Sequence, residues 1–246
     1  MKRKTHRHVH LVEALCLLLV AAMLTSCSGL HTIVAETNTL YRDTRTGSTY
    51  YVLPSSYEPI SRGEEFGRLE LSGVTYVLHT ITGLHSDEWL CSVWGDVYCA
   101  EEISVAPFTD WSISALHVCT NTALSMSELT IKPNALYTED VCQKAFSILQ
   151  DTYRDATALT YPSYAIPTRA YTLRFEADNV PGLYYTMQLL EYGEDIYETL
   201  PDQTGTPVET NVGRTLLYDR YAGRCVAVDD FIFRLLDGEK AEDVLS

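Results

Sequence analysis

Lysine is scarce in this 246-residue chain: beyond residue 26 only Lys132, Lys144 and Lys240 remain. Setting aside Lys2, Arg3, Lys4, Arg7 and Glu13 within the first 26 residues leaves 14 basic against 32 acidic side chains, a formal charge of −18. Such a surface repels phosphate backbones and anionic lipid heads, so nucleic acid is excluded as a partner, and so is attachment through a basic patch. The longest apolar run, Ala14 to Leu24, has eleven residues, short of the roughly 20 that a helix needs to cross the hydrocarbon. No Gly-x-Ser-x-Gly, His-Glu-x-x-His, phosphate-binding glycine loop or calcium loop occurs, so no catalytic residue is assigned and no cofactor is expected. Internal repeats and low-complexity tracts are also missing.

What is present begins with an export signal. Lys2, Arg3, Lys4 and Arg7 precede the short apolar core, and small residues follow it. Basic start, apolar core and small residues at the end are the three parts of a secretion signal. The run closes on Leu24-Thr25-Ser26-Cys27. That tetrapeptide resembles the lipobox of bacterial lipoproteins, in which the cysteine thiol takes a diacylglycerol and the peptide is cut just before it. The resemblance covers residues 1–28 only. It implies a signal peptide over 1–26, lipidation of Cys27, and an extracytoplasmic protein held on the outer leaflet of the cell membrane through that lipid. Ser28 resembles residues that permit sorting to an outer membrane where the cell has two.

Residues 27–46 are polar and unpatterned beyond Cys27, and read as a tether. From Thr49 onward alternation sets in. Phe66–Leu71 and Val74–Thr80 flank Ser72-Gly73, a two-residue hairpin signal that opposes Leu71 to Val74 and Leu69 to Tyr76. A second hairpin is expected around Gly95-Asp96, so 48–107 reads as a small β domain. In the second domain, 112–246, a helix is expected from an N-cap at Thr138 to about Ala156, its apolar residues from Val141 to Ala156 gathered within about 160° of arc. Pairing Phe175 with Tyr185 and Leu173 with Met187 keeps one sheet face apolar. Arg214–Tyr218 returns as Arg224–Val228, and 201–212 is expected to be a polar loop. The fold class expected is α+β: a small all-β unit, then one amphipathic helix packed on an antiparallel β-meander, loosely cystatin-like or nuclear-transport-factor-like.

Two functional readings follow. His79, His85, Asp87 and Cys91, with Glu88 between, form the densest set of metal-ligating side chains, in the segment HTITGLHSDEWLC. Zinc needs three or four such ligands converging, and a site here would serve a metal-assisted hydrolase. The other reading is a non-enzymatic binding module that meets a glycan or another envelope protein through exposed aromatics, with Trp89, Tyr184 and Tyr192 as the surface. The missing catalytic signatures favour the second. Five cysteines beyond Cys27 (Cys91, Cys99, Cys119, Cys142, Cys225) are an odd number, and buried small hydrophobes are the favoured role.

Overall fold

A computed structural model describes residues 30–120, 127–201 and 205–245. The signal, the lipobox and Cys27 lie outside the described residues. Eight strands fill the first part: β1 (His31–Ala35), β2 (Leu40–Asp43), β3 (Thr49–Val52), β4 (Tyr57–Pro59), β5 (Arg62–Leu71), β6 (Val74–Ile81), β7 (Trp89–Ser92) and β8 (Val97–Ala100). All except β4 close a barrel in the order β1-β2-β3-β8-β7-β6-β5. Closure comes from a parallel pairing of β1 with β5, Ile33 opposite Leu69. The barrel is filled by Ile33, Tyr41, Tyr50, Leu69, Leu78, Leu90 and Tyr98.

The hairpin registers follow the side-chain alternation. Ser72 (φ 51°) and Gly73 (φ 79°) are both left-handed, as a two-residue type I′ turn requires, and Leu71 opposes Val74. At the next hairpin Cys91 opposes Val97, and Trp89 opposes Cys99. Cys91 and Cys99 are therefore not cross-strand partners. All five cysteines beyond Cys27 are buried free thiols.

The second part is a mixed-length antiparallel sheet. Its strands are β9 (Ile113–Thr120), β10 (Ser127–Ile131), β11 (Arg169–Ala177), β12 (Leu183–Pro201), β13 (Pro207–Asp219) and β14 (Arg224–Ala227). The spatial order is β10-β9-β11-β12-β13-β14. Phe175 opposes Tyr185 and Leu173 opposes Met187. Helix α1 (Glu139–Asp155) starts at Thr138, whose hydroxyl accepts from the Val141 N–H. It lays Cys142, Ala145, Phe146, Leu149 and Tyr153 on the sheet, and each large apolar chain so buried contributes about 1.5–3 kcal/mol. Two shorter helices follow, α2 (Phe231–Leu236) and α3 (Ala241–Val244). Among the described residues no helix is long and apolar enough to cross a membrane.

The α+β expectation is overturned. The protein is mostly β, 49% strand against 15% helix, with a closed barrel beside a second sheet rather than one helix on a meander. Three misreadings explain it. Residues 31–35 and 40–43, expected within the polar tether, are β1 and β2 of the barrel. Their outward side chains meet water and their inward ones are few, so the alternation is faint. Residues 207–212, expected in a loop, continue β13 in a ribbon with β12. The two units also share a core. β7 and β8 are buried on both faces: Leu90 and Tyr98 point into the barrel, while Trp89, Cys91, Val97 and Cys99 pack with sheet residues such as Leu116 and Phe175. Gly182 (φ 94°) sits at this junction, where a Cβ would lie 2.8 Å from the carbonyl oxygen of Thr82.

A buried carboxylate anchors the β1–β2 end of the barrel. Asp43 is fully buried, and accepts from His31 Nδ1 (2.5 Å), the Thr46 hydroxyl (2.8 Å) and the Arg45 N–H (2.9 Å). Burial alone would raise its pKa, but these donors outweigh burial, the Arg45 N–H foremost, and hold it below the ordinary carboxylate value. A carboxyl with a depressed folded-state pKa contributes stability that is full above the unfolded value of about 4 and lost as pH falls through the folded one. Asp43→Asn is expected to cost about 1–3 kcal/mol at pH 7, with the gap to the parent narrowing as pH drops below about 4. Urea midpoints of the two proteins at pH 7 and pH 3 check this; a gap equal at both would contradict it.

Candidate binding groove along the outer sheet face

Strand alternation that buries Leu116, Val118, Leu173, Phe175 and Tyr185 turns their neighbours outward. His117 and Cys119 on β9, Arg174 and Glu176 on β11, and Tyr184 and Thr186 on β12 thus share the face away from α1. β4 leaves the barrel and pairs with Leu183–Tyr185, on the edge of β12 opposite β11. This sets Glu58 beside Tyr184.

The charged groups on this face are paired. Arg174 Nε donates to Glu58 Oε2 at 2.8 Å, and the guanidinium lies 6.0 Å from the Tyr184 ring centroid. His117 Nε2 is 2.8 Å from Glu176 Oε1, with its ring edge-on to Tyr184 at 5.8 Å. Burial, and then the neighbouring Glu176 carboxylate, push the Tyr184 phenol up to about 12, so it stays a hydrogen-bond donor at neutral pH. Cys119 is only 3% exposed. The arrangement offers fixed, neutralised polar groups rather than a free nucleophile with an adjacent base.

Three recesses meet at Glu58. One of about 310 Å³ reaches His117, Arg174 and Tyr184, and one of about 190 Å³ reaches Thr186, Gln188 and Tyr218. The third, about 470 Å³, lies between β4 and the β7–β8 tip and is walled by Ile60, Arg62, Trp94, Asp96 and Tyr221. Trp94 is 79% exposed there and Tyr221 50%, whereas Trp89 and Trp111 are 6% and 3% exposed.

Both rim aromatics are held by their turns. The buried Ser92 hydroxyl donates to Asp96 Oδ2 (2.8 Å) and accepts from the N–H groups of Trp94 and Asp96 (both 3.1 Å). Gly95 (φ 97°) completes that turn, and Arg62 Nη1 donates to the Val93 carbonyl at 3.3 Å. On the other side Asp219 Oδ1 accepts from the N–H groups of Tyr221 and Ala222, both at 3.0 Å. Each aromatic is thereby presented to solvent by a local hydrogen-bonded loop.

The residues singled out from sequence fall elsewhere, with one exception. His79 opposes Cys91 across β6 and β7, but its Nδ1 faces the Gly63 carbonyl at 3.3 Å, and the Cys91 thiol faces the Thr80 carbonyl at 3.7 Å. Burial pushes that thiol up to about 11. His85 and Asp87 are exposed in the β6–β7 connection. Among the described residues no group of three or more His, Cys, Asp or Glu is placed to hold a metal ion, so the metal cluster expected at His79, His85, Asp87 and Cys91 is not assembled. Trp89 and Tyr192 are buried, 6% and 3% exposed, so neither presents the exposed aromatic face expected of it. Tyr184 is half-buried and does line the groove. Trp94 and Tyr221 were the aromatics to single out, and a signal existed: Gly95-Asp96 and the 219–223 turn place them in loops, while Trp89 and Tyr192 alternate within strands. No protein-family model matches this chain, and no match is found among curated proteins or solved structures.

Proposed function

We propose that this protein is a non-enzymatic binding module of an exported, lipid-anchored lipoprotein, and that the groove beside β4 takes an uncharged saccharide chain. The observation that carries the reading is the exposed Trp94 indole on a polar recess that the exposed Tyr221 also borders. An aromatic face packs on the apolar C–H face of a sugar ring, while hydroxyl groups around the ring edge need polar partners. Arg62, Asp96 and Glu58 supply donors and acceptors at that edge. The acidic surface argues against a polyanionic polymer. The lipobox supports the location: Cys27 carries the lipid in this reading, and the acidic body gains no further hold on the membrane.

The test is calorimetry with the full chain and a β-linked N-acetylhexosamine tetrasaccharide. Trp94→Ala is expected to lose about 2 kcal/mol of binding, roughly 30-fold in Kd, as a central aromatic contact does. Tyr221→Ala is expected to weaken binding by a smaller factor. Tetrasaccharide binding that survives Trp94→Ala unchanged, or no binding to the parent, would overturn the proposal.

A further inference from the structure

We infer that, with Cys27 lipidated as proposed above, a short link holds the barrel wall formed by β1, β2 and β5 against the lipid bilayer. The barrel is then the spacer that keeps the second sheet away from the membrane. Only Ser28, Gly29 and Leu30 separate Cys27 from His31, the first residue of β1. Covalent geometry limits those four residue steps to about 14 Å even when fully extended. The start of β1 therefore stays within that distance of the residue carrying the lipid.

β1 cannot lengthen the link without opening the barrel. It pairs on one side with β2, Ile33 opposite Asp43, and on the other with β5, Ile33 opposite Leu69. Ile33 is 1% exposed, in the barrel core. The His31 imidazole meets the buried Asp43 carboxylate and stacks on the Phe66 ring, 4.2 Å between centroids. The Thr32 carbonyl accepts from both the N–H and the hydroxyl of Thr44 (2.9 and 3.0 Å). The chain is thus fixed to the closed sheet from the first residue of β1.

Strand order decides which way the molecule faces. Around the closed barrel β1-β2-β3-β8-β7-β6-β5, the strands across from β1 are β8 and β7. Those two carry Trp89, Cys91, Val97 and Cys99 on their outer side, packed with the second sheet. The β1 wall and the wall that meets the second sheet are therefore opposite walls of one barrel. With β1 at the lipid surface, the second sheet and the β7–β8 tip with Trp94 stand on the side away from the bilayer.

The outward groups of the β1 wall tolerate a headgroup layer. Arg42 stands opposite Val34 and Arg68 opposite Thr32, their side chains 53% and 57% exposed. Arg42 pairs with Glu36, Arg68 lies 3.8 Å from Glu65, and Glu70 stands opposite Val34. Basic and acidic groups are thus nearly balanced on this wall, unlike the rest of an acidic body. The link, rather than a basic patch, sets the distance, and the two guanidiniums can meet lipid phosphates there.

The experiment uses the full lipidated chain in phosphatidylcholine vesicles, with the lipid on Cys27 verified by mass analysis of the N-terminal peptide. A photoreactive benzoylphenylalanine replaces Arg68 in one protein and Lys144, on the exposed side of α1, in another. Illumination is expected to give lipid adducts at position 68 and essentially none at position 144. Inserting about 20 Gly-Ser residues between Leu30 and His31 adds a flexible link of about 25 Å, and is expected to cut the position-68 adducts about fivefold. Equal adducts at the two positions, none at position 68 in a protein with lipidated Cys27, or a yield that the insertion leaves unchanged would each overturn the inference while the anchor stands. An unmodified Cys27 would overturn the anchor and this inference with it.

Discussion

Replacing Asp219 by Ala is expected to cost about 3–5 kcal/mol of stability, because four buried donors lose their acceptor at about 1–3 kcal/mol each, offset in part by removal of a buried charge. Asp219 is 0% exposed and is a shared acceptor for four donors. Oδ2 accepts from the Tyr153 hydroxyl at 3.1 Å and from the Tyr185 hydroxyl, while Oδ1 takes the Tyr221 and Ala222 N–H groups. The alanine variant leaves two phenols and two amides without this acceptor at the junction of α1, β12 and the 219–223 turn. Asn keeps the shape and one acceptor oxygen, so Asp219→Asn should cost less than Asp219→Ala. Urea unfolding at pH 7 ranks the two, and an alanine variant within about 1 kcal/mol of the parent would contradict the network. The same network sets an alkaline limit. Burial, then the Asp219 charge, push Tyr153 up to about 12 and Tyr185 higher still. With folded values above the unfolded value near 10, their contribution is full below pH 10 and is lost as pH climbs towards 12. Because Asp219 also orders the Tyr221 turn, Asp219→Asn should weaken saccharide binding even where the protein stays folded.

Gly67→Ala is the second large effect, about 2–3 kcal/mol, and it tests the barrel closure. Gly67 opposes His31 in the parallel β1–β5 pairing. A Cβ there would lie 2.5 Å from the His31 carbonyl oxygen and 2.8 Å from its Cβ, so β1 would have to move off β5. Gly193→Ala is the control, since its Cβ would meet only Thr168 Cγ2 at 3.4 Å, and neither position has a left-handed φ. Urea midpoints should fall clearly for Gly67→Ala and little for Gly193→Ala. Equal midpoints would mean that β1 does not seal the barrel.

Local structure was legible where one signal decides it. The Ser72-Gly73 turn specifies its hairpin because only residues tolerant of positive φ fit both positions. The Phe175–Tyr185 register follows from keeping apolar residues on one face, and the α1 stripe from 3.6-residue periodicity. What stayed hidden depends on distant partners. β1 and β2 are short, and their apolar residues stand side by side (Ile33-Val34-Ala35, Leu40-Tyr41) rather than alternating, while the parallel contact of β1 with β5 has no local turn to mark it. β4 is three residues between Pro54 and Ile60, too short for any pattern, yet it builds the groove by pairing with β12. Trp89 and Tyr192 were misplaced because alternation reports which face of a strand a residue is on, not whether that face is covered. Trp89 lies on the face of β7 turned away from the barrel interior, and the second sheet covers that face.

Intrinsic fluorescence tests the central claim most directly, because Trp94 is the one exposed indole among the described tryptophans. Trp89 and Trp111 are buried and supply a constant background. Adding the β-linked N-acetylhexosamine tetrasaccharide should shift emission to shorter wavelength and protect it from acrylamide quenching in the parent, and should do neither in Trp94→Phe. A shift that persists in Trp94→Phe, or a parent spectrum that the tetrasaccharide leaves unchanged, would contradict a saccharide groove at Trp94.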